Sequence, residues 1–333
     1  MRVALLAGEA SGDQLAASLA RALPGASLWA LAGPALRALD VEPLGAIEEL
    51  SIVGFPAREL PRLLALRSRV RRELRRVRPD VVVTVDSPSF TLRTAAGLGI
   101  PHLHWVSPQI WAWRRHRAAR IARSTDALAA LLPFEPGLYA GTGLDVRFTG
   151  HPAAAGGLVP LGTAVGLAAG SRPSERARLG PAFRAALRGL DVVEAVPPGR
   201  APVMPEARHV TGVPALAGEV RAALVCSGTA TLELAARGVP MVSAYDVPRL
   251  TRAVARGLLH IDTVTLPNLV LGRRVVPELL DAPRPDVLRA ALDRVLEAPE
   301  VQRDAFAELE GLLAPEGSVE RVAQWVEALG RRG

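Results

Sequence analysis

The segment Cys226-Ser227-Gly228-Thr229-Ala230-Thr231-Leu232-Glu233 concentrates groups able to hold a phosphorylated ligand. A buried apolar run ends there at a small, hydroxyl-bearing turn, and an Ala/Leu-rich helix begins at once, so backbone N–H groups at the helix start can take a diphosphate. Gly228 permits close backbone approach, Ser227 and Thr229 offer hydroxyls, and Glu233 lies one helical turn further on, within reach of a ribose diol. The same pattern also describes an ordinary helix cap followed by a first-turn acid. Gly170-Ser171-Arg172-Pro173 repeats the logic: the turn follows an apolar run, Pro173 suits a first helical position, and Arg172 adds a forked cation for an anion.

Earlier in the chain, Gly8-Glu9-Ala10-Ser11-Gly12-Asp13 follows an apolar run and opens a helix, which gathers Glu9, Ser11 and Asp13 at a strand's C-terminal edge. Ser11 or Asp13 could equally cap that helix. Val81-Val82-Val83-Thr84-Val85 leads straight into Asp86-Ser87-Pro88, which puts a carboxylate at a strand mouth, as a general base or as a helix cap. Trp105-Val106-Ser107-Pro108-Gln109-Ile110-Trp111-Ala112-Trp113-Arg114 combines aromatics with the arginines that follow, which suits a ligand with apolar and phosphate parts or a tryptophan-anchored corner beside a basic helix.

Short apolar runs alternating with amphipathic stretches must position these groups, and that alternation marks βαβ units around parallel sheets. Strands are predicted at Val3–Leu6, Leu28–Leu31, Val81–Val85, Leu103–Val106, Leu128–Leu131 and Val146–Phe148, with helices at Ser11–Ala22 and Pro61–Val77. A second series follows, with strands Val165–Ala168, Val192–Val196, Leu224–Cys226 and Val239–Ser243 and helices Thr229–Arg237 and Leu250–Leu259. The 333 residues therefore predict two α/β domains, 1–155 and 162–315, divided near the Gly/Pro-rich stretch Ala153–Leu161, and a C-terminal helix over 316–333.

Composition narrows the function classes. All 40 basic residues are arginine, against 33 acidic ones, and the net charge of +7 favours anionic partners. Cys226 is the only cysteine, which excludes an internal disulfide and fits a reducing, cytoplasmic compartment. The six histidines show no metal-ligating spacing, a P-loop is impossible without lysine, and no Gly-x-Ser-x-Gly elbow is present. Neither metal nor cofactor is expected, and no nucleic-acid module accompanies the charge. The uncharged stretch Phe148–Ser171 is broken by Pro152, Gly156-Gly157 and Pro160, so membrane contact would be peripheral. The stretch Arg58–Arg78, with nine arginines among Leu60, Leu63, Leu64, Val70, Leu74 and Val77, suits either an anionic membrane surface or ordinary packing.

Taken in order, these blocks resemble the lipid-A-disaccharide synthase family: Gly8–Asp13, Val106–Trp113, Leu131-Leu132-Pro133-Phe134-Glu135-Pro136, Thr149-Gly150-His151-Pro152, Gly170–Arg172, Ser227–Glu233, Leu266-Pro267-Asn268 and Val276–Leu280. The resemblance implies two Rossmann-like domains facing a cleft, the GT-B glycosyltransferase architecture, with a C-terminal helix returning to the first domain. It implies inverting transfer of a diacylglucosamine from its UDP carrier to the 6-hydroxyl of a diacylglucosamine 1-phosphate, at the inner face of the inner membrane. Asp86 takes the place of the general base. Arg172, Ser227, Gly228, Thr229, Thr231, Glu233 and Asn268 take the nucleotide-sugar site, and Gly8, Glu9, Ser11, Gly12, Asp13, Ser107, Gln109 and Trp111 the acceptor side. A different acceptor, a UDP-sugar epimerase or a non-catalytic UDP-sugar or lipid-binding homologue would use the same fold. Two departures stand out: Ser89 replaces an acidic residue expected three positions after Asp86, and the short stretch between Arg172 and Ala223 predicts a missing strand–helix unit.

Overall fold

The computed structural model describes residues 1–50, 56–113, 115–246, 263–281 and 283–331. The chain divides into two compact units, Met1–Gly150 with Glu316–Gly333, and His151–Pro315.

The first unit is built on a seven-stranded sheet: β1 (Arg2–Ala7), β2 (Ser27–Ala32), β3 (Glu42–Ala46), β4 (Val81–Val85), β5 (His102–Trp105), β6 (Ala127–Ala130) and β7 (Asp145–Phe148), in the order β3-β2-β1-β4-β5-β6-β7. All its pairs are parallel. Helices cover a parallel sheet on both faces, so its central strands are continuous apolar runs, and Val3 to Ala7 and Val81 to Val85 are all buried. The helix Ser318–Gly330 joins this unit: Val322, Trp325 and Val326 enter its core, and the Arg147 guanidinium lies 4.3 Å from the Trp325 ring centroid.

The second unit carries six parallel strands, β8 (Ala164–Ala168), β9 (Val192–Val196), β10 (Arg208–Thr211), β11 (Val220–Cys226), β12 (Met241–Tyr245) and β13 (Glu278–Leu280), in the order β10-β9-β8-β11-β12-β13. The expected loss of a strand–helix unit is corrected here. The strand is present as β10, and only the helix between β9 and β10 is absent, its place taken by irregular residues 197–207.

That short connection is held by a buried ion pair. Glu194 on β9 is fully buried and meets Arg176 of the helix Pro173–Ala186 at 2.9 Å, while its carboxylate also accepts the N–H groups of Val203 and Met204. Arg176 reaches on to the carbonyls of Ala201 and Gly170. A run of proline and glycine too short for a crossover helix is thereby pinned by charge-assisted bonds to its backbone.

β3, β10 and β13 escape the apolar patterning, and each is an edge strand. β3 contains Pro43 and Gly45, β10 reads Arg-His-Val-Thr, and β13 has three residues. An edge strand pairs on one side and buries little, so its sequence need not be apolar. The predicted helix Leu250–Leu259 lies outside the described residues.

Candidate functional site

Both strand orders reverse direction at one point, between β1 and β4 in the first unit and between β8 and β11 in the second. Loops leaving neighbouring strands at such a reversal diverge and leave a crevice at the strands' carboxyl ends. Ala7 pairs with Val85 and Val225 with Ala168, so each pair of strands delivers two chemistry-bearing turns side by side. In the first unit these are Gly8–Asp13 and Asp86–Phe90, and in the second Gly170–Arg172 and Ser227–Thr229.

The first crevice is tight at its floor. A Cβ on Gly8 would lie 2.1 Å from the Ser87 Cβ, and one on Gly12 would lie 3.1 Å from the Val85 carbonyl oxygen, so the two turns approach as only glycines allow. Glu9 and Ser11 are exposed at the rim, and Ser87 donates its hydroxyl to Glu9 Oε1 at 3.3 Å. Asp13 points elsewhere. It is 1% exposed and accepts the N–H groups of Gly33, Ala35 and Leu36 at 2.7, 2.7 and 3.3 Å. It caps not its own helix, Ala10–Arg21, but the distant Pro34–Arg37, fixing the β2 exit beside β1.

Asp86 sits half-buried in the left-handed region, at φ 55°, followed by Ser87 at 45°. Two consecutive non-glycine residues there store strain that the surroundings must over-determine, a pattern concentrated at functional sites. The Asp86 N–H donates to the Trp105 carbonyl, Thr91 donates to the Asp86 carbonyl, and Asp86 Oδ1 accepts the Ser87 N–H at 2.7 Å. The helix Thr91–Ala95 has no side-chain cap, so the carboxylate does not serve as one, and Oδ2 makes no protein hydrogen bond among the described residues.

At the end of β5 the chain turns through Val106 at φ 80°, an outlier for a β-branched residue. Ser107 is buried, with its hydroxyl 3.0 Å from the Tyr139 hydroxyl and donating to the Pro108 carbonyl at 3.3 Å. Gln109 is exposed, and Trp111 is buried edge-on against Phe134. Arg114 lies outside the described residues. Beneath the turn Glu135 is 3% exposed, and burial pushes its carboxyl up to about 8. The stability this group lends is thus fully present below its ordinary value of 4.5 and is lost as pH rises through about 8.

Under Asp86, the Thr84 hydroxyl lies between His102 Nε2 at 2.8 Å and His104 Nδ1 at 2.7 Å. His102 Nδ1 faces the Ser124 carbonyl and must donate, so its Nε2 accepts from Thr84, and His104 Nδ1 must in turn donate to Thr84. Burial holds both imidazoles neutral, pushed down to about 4 and about 3, so the pair brings no charge to the carboxylate above it.

In the second unit Gly228 and Thr229 are exposed at the start of the helix Thr229–Ala236. The first N–H groups of such a helix have no intrahelical partner and face the crevice mouth with a partial positive charge. Neither Ser227 nor Thr229 caps this helix. The Thr231 hydroxyl is buried and donates to the Gly228 carbonyl at 2.7 Å, shaping the turn rather than facing a ligand. Glu233, half-buried on the next turn, has its carboxyl raised by burial, with Arg237 opposing.

Arg172 is exposed at the start of the helix Pro173–Ala186, 3.2 Å from Glu175, whose carboxylate also accepts the Arg172 N–H. Asn268 is fully buried: its oxygen accepts the N–H groups of Val275 and Val276, and its nitrogen donates to the Val276 carbonyl. Its side chain is therefore spent on the backbone that enters β13. Glu278 is spent likewise on residues 263–265, taking the N–H groups of Val264 and Thr265 and the Thr263 hydroxyl, while Ser227 donates to the Val264 carbonyl at 3.5 Å. No spacing in the sequence links Glu278 to Thr263 or Glu194 to Arg176; only the strand order brings them together.

The structure thus brings Gly8, Glu9, Ser11, Gly12 and Asp86 to one crevice and Arg172, Ser227, Gly228, Thr229 and Glu233 to the other. Asp13, Ser107, Thr231 and Asn268 stand behind them with side chains committed to protein partners.

The chain matches known proteins over most of its length. The sequence model of the Lipid-A-disaccharide synthetase family matches residues 3–155 and 215–299, which include both crevices except Gly170–Arg172. A lipid-A-disaccharide synthase of Anaeromyxobacter dehalogenans (strain 2CP-1) is 38% identical over 369 aligned positions, covering 98% of this chain and 96% of its own. That alignment is longer than the chain, so the relative carries residues that this one lacks, in keeping with the missing β9–β10 helix. Among solved structures, a UDP-GlcNAc 2-epimerase from Neisseria meningitidis bound to UDP-GlcNAc superposes with a TM-score of 0.68 at 13% identity, over 98% of this chain and 100% of its own. The glycotransferase of kitacinnamycin does so at 0.63 and 16%, over 98% of each chain, and the likeness of both is one of fold. By its sequence match, with the two Rossmann-like units of a GT-B glycosyltransferase, the chain belongs to the lipid-A-disaccharide synthase family.

Proposed function

We propose that the chain performs its family's reaction, joining a 2,3-diacylglucosamine from its UDP carrier to the 6-hydroxyl of 2,3-diacylglucosamine 1-phosphate, with release of UDP. The observation that carries the assignment of roles is Asp86, a strained carboxylate at the switch point of the first unit with one oxygen that makes no protein hydrogen bond among the described residues. An alcohol attacking an anomeric carbon must lose its proton as the bond forms, and a positioned carboxylate is the group to receive it. The donor is α-linked and the product β-linked, so one in-line displacement inverts the centre and needs no covalent intermediate.

UDP leaves with a developing negative charge. The N–H groups at Thr229 and the Arg172 guanidinium offer preorganised positive charge for it, and Glu233 offers acceptors for the ribose hydroxyls. The residues present supply this stabilisation from backbone dipoles and arginine. Asp13, Ser107, Thr231 and Asn268 keep the turns in place. Product mass spectrometry tests the reading: incubation with both acylated substrates should yield a disaccharide 1-phosphate and UDP in equal amounts. UDP release from unacylated UDP-N-acetylglucosamine without a lipid acceptor would sink it.

Substrates with four acyl chains between them reside in a membrane, and we assign the approach to it to the helix Pro56–Val77. Its Leu66, Val70 and Leu74 are buried in the unit, whereas Leu60 and Leu64 are exposed at 54% and 49% among arginines. Among the described residues no helix is long and apolar enough to cross a membrane. Leu60 and Leu64 would dip into the interface while the arginines meet anionic headgroups. The protein should float with vesicles containing anionic phospholipid at low salt, and Leu60→Ser with Leu64→Ser should lower the vesicle partition coefficient about thirtyfold or more, since each exposed leucine contributes ~1–2 kcal/mol on burial. Equal flotation of the two proteins would remove this helix from the reading.

A further inference from the structure

Under the Gly170–Arg172 turn lies a carboxylate to which the transfer reaction assigns no part. Glu175, on the first turn of the helix Pro173–Ala186, is 8% exposed. Its Oε2 accepts the Arg172 N–H at 3.3 Å, and its Oε1 accepts from Arg172 Nη1 at 3.2 Å. A Cβ on Gly170 would lie 2.7 Å from Glu175 Oε2 and 3.2 Å from Cys226 Sγ, so the carboxylate reaches beneath the turn to the end of β11. Gly170, at φ 94° and without a side chain, is what admits it. The Arg172 carbonyl in turn accepts the N–H groups of Glu175 and Arg176, so Arg172 is held at its N–H, its carbonyl and its guanidinium.

An acid beneath a turn that takes an anion is at first sight misplaced, because its charge opposes the ligand's. A glutamate at the third position of a helix favours the helix start, and that accounts for its bond to the Arg172 N–H. It does not account for the other oxygen, which is spent on a guanidinium whose side chain is 68% exposed. An ion pair so exposed adds little to folding. What it does is restrict a long, flexible side chain whose ordering otherwise weakens ligand binding. We infer that Glu175 is a positioning residue for the UDP donor: it holds the Arg172 guanidinium ready at the diphosphate turn before the donor arrives. The inference rests on the reading of Arg172 as a diphosphate ligand. Glutamine is the discriminating substitution. Its one carbonyl oxygen can keep the bond to the Arg172 N–H and so preserve the helix start, while its NH2 group meets the guanidinium donor to donor and releases it.

The experiment is a double-mutant cycle, read by calorimetric titration of UDP and of uridine on the full chain, on Glu175→Gln, on Arg172→Ala and on the double variant. Glu175→Gln should weaken UDP binding about fivefold, the effect of ordering one long side chain on binding, and leave uridine affinity and the thermal unfolding midpoint unchanged. In the Arg172→Ala background the same substitution should change UDP affinity by less than about twofold, since no guanidinium is left to hold. Equal weakening in both backgrounds, which a merely structural role produces, would overturn the inference. So would tighter UDP binding by Glu175→Gln, the sign expected of a carboxylate that acts only through its charge. If Arg172→Ala leaves UDP affinity unchanged, the reading of Arg172 falls and the inference with it, whereas a large Arg172 effect without coupling removes Glu175 alone.

Discussion

Asp86→Asn is expected to lower disaccharide formation by about 10²- to 10⁴-fold, the usual contribution of a positioned general base, while UDP affinity stays unchanged. Asparagine is the informative substitution because it preserves what the fold asks of this position. Its amide oxygen can still accept the Ser87 N–H that Asp86 Oδ1 takes at 2.7 Å, and asparagine tolerates the left-handed φ of 55° better than other replacements. Only the ability to take a proton is removed. Alanine would lose the bond and the conformational fit as well, so its effect would mix chemistry with structure. Turnover under saturating substrates, alongside calorimetric titration of UDP, separates the two. Retention of activity within about threefold would transfer the role of base to another group, with Glu9 at the same rim the first to examine.

The second large effect concerns stability. Glu194→Ala is expected to destabilise the His151–Pro315 unit by about 3–5 kcal/mol, because it strands a buried guanidinium and two peptide N–H groups at once. Arg176 is 8% exposed and Glu194 fully buried, and the pair carries residues 201–204, which replace the absent helix between β9 and β10. Replacing both charges by methionine should recover only part of the loss, since the Val203 and Met204 N–H groups would still lack acceptors. Arg176 also holds the Gly170 carbonyl, two residues before Arg172, so UDP affinity should fall in partly folded variants before the unit unfolds. Urea unfolding followed by far-ultraviolet circular dichroism gives the magnitude. A cost below about 1 kcal/mol would show that the connection is held by apolar contacts instead.

The amino-acid sequence by itself determined which runs become central strands and which turns leave them, because a strand buried on both faces must be largely apolar, as Leu224–Cys226 and, apart from Thr84, Val81–Val85 are. It also set glycines at the close approaches Gly8 and Gly12. The edge strands β3, β10 and β13 were decided by tertiary structure alone, since pairing on one side asks little of side chains. So were the partnerships of the polar groups around the crevices. Asp13 reads locally as a cap for its own helix and is spent on another, twenty residues on. Asn268 reads as a ligand and braces Val275 and Val276, Ser107 turns inward to Tyr139, and Glu278 and Glu194 find peptides far along the chain. The reason is physical: hydrophobic periodicity is a property of neighbours in sequence, whereas a buried polar side chain must be satisfied by whatever backbone the strand order places beside it.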